Sequence, residues 1–106
     1  MSQPLRLVET SPNPPERADV VVIGGGIIGV FTAYYLAQRG LSVAVVEKGL
    51  IGAEQSSRNW GWCRQQNRDA RDLPMSTRSL ELWDQFAAGS GEGTGFKRCG
   101  LLYGAV

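Results

Sequence analysis

The sequence predicts an α/β fold built on a βαβ unit, and three observations carry this prediction. The first is an uncharged, β-branched run at Val20–Ile23, which suits a strand buried on both faces of a parallel sheet. The second is a set of glycines that follows this run with no spacer. The third is a helical pattern that leads into a second apolar run. Together they occupy residues 19–47, close to the ~30 residues that a βαβ unit needs.

The glycines predict a sharp turn from the first strand into a helix that faces a pyrophosphate. Gly24 permits the tight turn, Gly26 leaves room for phosphate oxygens beside the backbone, and Gly29 lets the helix pack closely against the strand. The first N–H groups of a helix lack partners within it, and the helix dipole favours an anion at that end. The predicted cofactor contacts are Gly24, Gly25, Gly26, Ile27, Ile28 and Gly29.

The helix after the glycines is predicted to carry one apolar face and to end at Gly40. Gln38 and Arg39 close the helical pattern, and Gly40 suits the left-handed position that follows a helix. The predicted apolar face comprises Ile27, Val30, Phe31, Tyr34 and Tyr35.

A second strand is predicted to end just before Glu47. A carboxylate at this place can accept hydrogen bonds from the hydroxyls of an adenosine ribose. Taken alone, Gly40 is only a helix terminator and Glu47 only a surface acid. Because strand, glycine turn, helix, glycine, strand and acid follow in this order, they favour a Rossmann-like dinucleotide-binding fold over a purely structural βαβ unit. The apolar residues of the second strand are Leu41, Val43, Val45 and Val46.

Composition and patterning argue against several other classes. Residues 20–37 carry no charge, yet the run changes from a strand pattern to a helix pattern at three consecutive glycines, so no transmembrane segment is predicted. Lys and Arg total 11 against 10 acids, which gives no basic excess for nucleic-acid binding, although Trp60 and Trp62 lie among arginines. Histidine is absent, and Cys63 and Cys99 lack metal-ligand spacing, so no metal site is expected. Two thiols without an export signal indicate a reduced, cytoplasmic protein.

Four further segments are predicted outside the βαβ unit. Residues 1–18 are expected to form an extended, proline-rich arm. A packing helix is expected from near Leu73 to about Ala87, with Asp72 as its cap. Residues 88–95 are expected to form a mobile, glycine-rich loop, and residues 96–106 one or two short strands.

The chain resembles the N-terminal ADP-binding segment of flavoproteins that have two dinucleotide-binding domains. Residues 52–61, GAEQSSRNWG, resemble the loop after the second strand in the D-amino acid oxidase and sarcosine oxidase superfamily of FAD-dependent amino acid and amine oxidoreductases. Glu47 followed by Lys48 fits FAD better than NAD. The resemblance covers residues 19–106. The pattern GxGxxGxxxAxxLxxxGxxVxVxE is met by Gly24, Gly26, Gly29, Ala33, Leu36, Gly40, Val43, Val45 and Glu47.

The resemblance implies a role for each matching residue. The glycine loop would hold the FAD pyrophosphate, the acid would hold the adenosine ribose, and the serine-rich loop would approach the phosphates and the ribityl or isoalloxazine end. Arg64 resembles an arginine that pairs with the substrate carboxylate, to which a planar guanidinium is suited. A surface or phosphate-facing Arg64 remains an alternative. Beyond the glycine loop, the implied cofactor-binding residues are Glu47, Lys48, Ser56, Ser57 and Asn59.

The resemblance also implies an activity. The complete protein would oxidise a C–N bond of an amino acid or secondary amine by hydride transfer to flavin, with an electron acceptor to complete turnover. An NAD(P)-dependent oxidoreductase and a non-catalytic FAD-binding subunit remain alternatives, and no catalytic residue is identified. Such enzymes need several hundred residues. Residues 19–106 are therefore expected to be the N-terminal part of an FAD-binding domain, without a substrate domain and inactive alone.

Overall fold

The structure, a computed structural model, describes residues 7–90 and 93–105. These residues divide into two compact units, the first within residues 1–60 and the second within residues 61–106. Strands β1 (Val20–Ile23) and β2 (Val43–Val46) pair in parallel, with Val20 opposite Val43 and Ile23 opposite Val46. This parallel pair with a helix between its strands is an α/β arrangement, as the sequence predicts. The elements are β1 (Val20–Ile23), α1 (Ile27–Gln38), β2 (Val43–Val46), α2 (Gln55–Arg58) and α3 (Leu73–Gly89).

Hydrogen bonds fix the register of β1 and β2 at both ends. Before β1, Asp19 Oδ2 accepts hydrogen bonds from Ser42 N and Ser42 Oγ, both at 2.8 Å, and Asp19 N donates to Ser42 O at 3.0 Å. The hydrogen bonds from Ser42 hold the pKa of Asp19 below its usual value. After β1, Gly24 N donates to Val46 O at 2.8 Å. This register places Glu47, the residue after β2, beside the turn that follows β1.

α1 ends in a Schellman motif, and Gly40 occupies the position that the sequence predicts. The φ angle of Gly40 is 84°, its N–H donates to Ala37 O at 2.9 Å, and the N–H of Leu41 donates to Leu36 O at 3.3 Å. Leu41 thus belongs to the end of the helix. Its predicted place in the second strand is wrong, because that strand begins at Val43.

α1 covers only one face of the strand pair, so the prediction that β1 is buried on both faces is wrong for the described residues. Side chains alternate along a strand. Val20 and Val22 are half-buried, whereas Val21 and Ile23 on the other face are exposed, Ile23 by 89%. The single apolar face predicted for α1 is wrong too, because apolar residues surround the helix and Ile28 is 82% exposed. Among the described residues no hydrophobic side chain is fully buried.

α3 confirms the predicted helix and continues to Gly89, which shortens the predicted loop at residues 88–95. Asp72 is the N-cap residue, but its side chain makes no capping hydrogen bond. Its backbone is helical, with ψ at −15°, whereas a capping side chain normally needs an extended backbone. The helices of the described residues include none with the length and hydropathy to cross a bilayer.

Residues 93–105 form no strand, so the strands predicted for residues 96–106 are wrong in the described part. Gly95 and Gly100 have φ angles of 71° and 75°, which interrupt an extended backbone. Phe96 instead stacks on Trp83 of α3, with 5.9 Å between ring centroids. Val106 lies outside the described residues, as do residues 91–92 of the predicted loop and residues 1–6 of the predicted arm. The rest of the arm, residues 7–18, has neither helix nor strand.

Candidate functional site

The turn between β1 and α1 leaves a row of backbone N–H groups at the start of the helix. Gly26 is the N-cap residue, and the first turn contains no acidic side chain. The first hydrogen bond of the helix runs from Val30 N to Gly26 O at 2.9 Å. The N–H groups of Gly26, Ile28 and Gly29 donate no hydrogen bond to any described residue. Free donors and the positive end of the helix dipole together favour an anion at this point.

Three glycines allow the backbone segments around the turn between β1 and α1 to lie close together. Gly24 has a φ angle of 109°, a region that glycine adopts at little cost. A Cβ atom on Gly29 would lie 1.9 Å from Gly24 O, so only glycine lets α1 pack this closely on the turn. A Cβ atom on Gly26 would lie 3.2 Å from Ser56 Oγ, which is tighter than an ordinary contact. The space beside the N–H groups at the start of α1 therefore depends on glycine, which has no side chain, at these positions.

Gly25 joins the glycine turn to the loop that follows β2. It is the one buried residue in the described part of the chain. A Cβ atom on Gly25 would lie 2.5 Å from Ile51 Cδ1 and 3.1 Å from Glu47 Cβ. Gly25 O accepts a hydrogen bond from Gly52 N at 2.9 Å. Gly52, with φ at 71°, lies in the loop that the sequence predicts after the second strand, but the contacts of Ile51 and Gly52 with Gly25 were not predicted.

Glu47 reaches from the end of β2 to the glycine turn. Its Oε2 accepts a hydrogen bond from Gly25 N at 2.7 Å, and its Oε1 accepts one from Gly49 N at 2.8 Å. The Gly25 and Gly49 N–H groups, with a smaller effect from the positive charge of Lys48, hold the pKa of Glu47 below its usual 4.5. Glu47 is therefore ionised at neutral pH. Because a carboxylate has about four acceptor positions, Glu47 can still accept hydrogen bonds from sugar hydroxyls.

The serine-rich loop forms α2, a single helical turn that the sequence analysis did not predict. Ser56 Oγ accepts a hydrogen bond from Ile27 N at 2.8 Å and thus binds one of the N–H groups at the start of α1. Ser57 Oγ donates to Gly52 O. Asn59 Nδ2 donates to Ser56 O at 2.8 Å and so closes α2. Ser56 contacts the start of α1 directly, whereas Ser57 and Asn59 stabilise the loop that carries it.

One sequence feature could have predicted α2. Glu54 and Arg58 are four residues apart, which is the spacing of an ion pair on one helix face. In the structure Arg58 Nη2 lies 3.2 Å from Glu54 Oε2. The feature is weak because both side chains are exposed and four residues seldom form a stable helix alone.

Within the first unit, the structure brings most of the predicted cofactor residues together. The glycine turn, Glu47 and Ser56 are joined by hydrogen bonds, and Lys48 is exposed beside Glu47. The described residues contain no group of three or more side chains suited to hold a metal ion.

Arg64, in the second unit, has a partner that the sequence analysis missed. Arg64 Nη1 donates a hydrogen bond to the hydroxyl of Tyr103, and Arg64 Cζ lies 6.0 Å from the centroid of the Tyr103 ring. Arg64 is half-buried, whereas every other arginine of the described residues is exposed. Arg64 makes no ion pair with any described residue. The arginines that do pair with carboxylates are Arg58, Arg71, Arg78 and Arg98.

We expect Ser56→Ala to raise the dissociation constant of the full-length protein for FAD, the cofactor that the resemblance implies, by about two- to tenfold, which corresponds to the loss of one neutral hydrogen bond. The change removes the Oγ atom that binds Ile27 N and so frees α2 from the start of α1. Titration of the FAD-free protein with FAD measures the effect. Ser79→Ala is the matched control, because Ser79 Oγ only donates to Met75 O within α3. Equal affinities for Ser56→Ala and Ser79→Ala would contradict this role of Ser56.

A parallel βαβ unit with a glycine turn and an acid after the second strand is the arrangement of dinucleotide-binding proteins. Comparison with known protein families supports this class and identifies one family within it. The chain belongs to the DAO family of FAD dependent oxidoreductases, whose family profile matches residues 19–106. FAD is the cofactor of this family.

The names of individual relatives describe enzymes that act on amines and amino acids. The chain is 39% identical over 77 residues to sarcosine oxidase subunit beta from an Arthrobacter species, which covers 71% of the chain and 19% of that protein. It is 32% identical over 88 residues to N-methyl-L-tryptophan oxidase from Yersinia pestis, which covers 79% of the chain and 23% of that protein.

Two solved structures that are similar to this chain also come from enzymes named for amino acids. An L-amino acid deaminase from Proteus vulgaris matches 85% of the chain with a TM-score of 0.75 and 38% identity. The L-amino acid deaminase from Proteus myxofaciens, solved in complex with anthranilate, matches 84% with a TM-score of 0.78 and 36% identity. The matched region is 23% and 20% of those two chains. The chain thus spans about a fifth of the length of its relatives.

Proposed function

We propose that the full-length protein is an FAD-dependent oxidoreductase that oxidises a C–N bond of an amino acid or secondary amine. The observation that carries this proposal is the row of free N–H groups at the start of α1, joined through Gly25 to the ionised Glu47. The family match supports FAD as the cofactor, and the names of the relatives support an amino acid or amine as the substrate. In this proposal residues 19–106 are the first part of a Rossmann-like FAD-binding domain, and residues 1–18 are an arm before it.

The residues present fit the ADP half of FAD. A Cβ atom on Gly26 would narrow the space beside the start of α1, and glycine keeps that space open. The free N–H groups of Gly26, Ile28 and Gly29 would bind pyrophosphate oxygens. Glu47 would accept hydrogen bonds from the adenosine ribose, and Lys48 would add a positive charge beside it.

The serine-rich loop would close over the same ligand. The Oγ atom of Ser56 accepts from Ile27 N, so its own proton can be donated to a phosphate oxygen. Ser57 and Asn59, which hold the loop, would keep Ser56 at this position.

The substrate would be oriented by Arg64. When bound, FAD supplies the redox chemistry, as acceptor of the hydride that leaves the carbon next to the substrate nitrogen. Arg64 is half-buried and has no acidic partner among the described residues, so its charge is available to a carboxylate. Anthranilate, the ligand of one deaminase relative, carries both an amine and a carboxylate.

The two exposed cysteines are free thiols and fit the proposed reducing, cytoplasmic location.

The test uses the purified full-length protein. We expect an oxidised flavin absorbance at ~450 nm that disappears when an amino acid or N-methyl amino acid is added without oxygen. An electron acceptor, whether oxygen, a quinone or a protein, should restore the absorbance. An NAD(P)-dependent enzyme would carry no flavin, and a non-catalytic subunit would keep a flavin that no amine reduces. Either result would contradict the proposal.

A further inference from the structure

We propose that Tyr103 is a positioning residue for Arg64 and so determines specificity for amines that carry a carboxylate. The inference rests on the proposed function, because it takes Arg64 to bind the substrate carboxylate. The hydrogen bond between Arg64 Nη1 and the Tyr103 hydroxyl joins residues that are 39 positions apart within the second unit. Nothing local in the sequence requires this contact.

A neutral partner suits an arginine that must bind a mobile anion. Arginine has a long, flexible side chain, and two-point binding of a carboxylate requires the guanidinium plane to be oriented. An acidic partner would orient the plane but would also neutralise the charge. The Tyr103 hydroxyl orients Arg64 and leaves its charge uncompensated among the described residues. The ring of Tyr103, 6.0 Å from Arg64 Cζ, further restricts the guanidinium.

The contact also leaves the useful edge of the guanidinium open. Tyr103 binds Nη1, and the edge formed by Nε and Nη2 makes no hydrogen bond with a described residue. Arg71 shows what this edge does when a carboxylate is present. Arg71 Nε donates to Asp69 Oδ1 at 2.9 Å and Arg71 Nη2 donates to Asp69 Oδ2 at 2.8 Å. A substrate carboxylate could bind Arg64 in the same two-point geometry, with Tyr103 on the opposite side.

The experiment compares steady-state kinetics of the full-length FAD-loaded enzyme and its Tyr103→Phe variant. Phe keeps the ring but removes the acceptor oxygen. We expect KM for an amino acid substrate to rise about three- to tenfold, with kcat unchanged, as the loss of one hydrogen bond predicts. KM for an analogous amine without a carboxylate should not change. Tyr34→Phe is the matched control, because the Tyr34 hydroxyl accepts a hydrogen bond from Gln38 Nε2 at 2.7 Å on α1.

Arg64→Ala separates this inference from the proposed function. If Arg64→Ala raises KM for the amino acid and Tyr103→Phe does not, Tyr103 has no positioning role and the proposed function stands. If Arg64→Ala leaves KM unchanged, the carboxylate-binding role of Arg64 is wrong and the inference about Tyr103 is wrong with it. In an Arg64→Ala background, Tyr103→Phe should have no further effect on KM.

Two results would assign Tyr103 a merely structural role and overturn the inference. One is an equal rise of KM for substrates with and without a carboxylate. The other is a loss of bound FAD in Tyr103→Phe that accounts for the whole kinetic change. If Tyr103→Phe yields too little folded enzyme, Tyr103→Leu replaces it, because leucine also lacks an acceptor oxygen. A KM that rises for the amino acid but not for the amine without a carboxylate then supports the inference, and an unchanged KM or an equal rise for both substrate types overturns it.

Discussion

Gly29→Ala is expected to weaken both the folding of the βαβ unit and its binding of FAD. The added Cβ atom would lie 1.9 Å from Gly24 O, 3.1 Å from Gly24 C and 3.3 Å from Val22 Cγ1. Two of these atoms belong to the backbone, so no side chain can rotate away to make room. Either α1 must move off β1 or the glycine turn must change shape. Overpacking of this kind costs about 1–3 kcal/mol of unfolding free energy.

The same movement would displace the N–H groups at the start of α1, so the FAD dissociation constant should rise about tenfold or more. Urea unfolding and FAD titration of the full-length protein measure the two effects. Gly89→Ala is the matched control, because Gly89 ends α3 and has no atom within 4 Å of an added Cβ. Its stability should be unchanged or up to about 1 kcal/mol higher, since alanine favours helix. Native stability and native FAD affinity in Gly29→Ala would contradict the close packing described here.

Glu47→Gln is expected to raise the FAD dissociation constant by about tenfold or more, because it removes a charged acceptor that serves two N–H groups. Glutamine has nearly the same shape, but its NH2 group would face the N–H of either Gly25 or Gly49, donor against donor. The glycine turn should then lose its connection to β2. FAD titration measures the effect. Glu54→Gln is the matched control, because the Glu54 side chain is exposed and its ion pair within the described residues is with Arg58.

The pH dependence gives a second measurement on Glu47. Its folded-state pKa lies below the unfolded value of 4.5, because the Gly25 and Gly49 N–H groups favour the carboxylate. Its stabilising effect is therefore complete above pH 4.5 and is lost as the pH falls through the lower, folded-state pKa. The native protein should exceed Glu47→Gln in stability by a constant amount at neutral pH, and the difference should shrink in acid. A difference that grows as the pH falls would contradict the hydrogen bonds assigned to Glu47.

The βαβ unit was predictable because its determinants are local. The β-branched run and glycines define β1 and the start of α1, and Gly40 defines the end of α1, where a residue with positive φ follows the last turn. The position of Glu47 at the end of β2 follows from the same run of residues. The exposed face of β1 could not be read this way. Val21 and Ile23 have the residue types of a buried strand, but burial depends on which segments cover them.

Contacts between distant residues account for what the sequence did not predict. Ser56 contacts Ile27 from 29 positions away, and Arg64 contacts Tyr103 from 39 positions away. No periodicity links such pairs. The strands predicted for residues 96–106 were wrong in the described part for a related reason, since strand propensity has an effect only where a neighbouring strand supplies hydrogen-bond partners.

The hydrogen bonds of Asp19 with Ser42 and of Gly24 with Val46 limit the changes in length that the βαβ unit can accept. They close the strand pair at both ends and prevent one strand from sliding along the other. A shift of one residue would turn every side chain of β2 to the opposite face and carry Glu47 away from Gly25. Insertions and deletions between α1 and β2 should therefore be rare among homologous proteins.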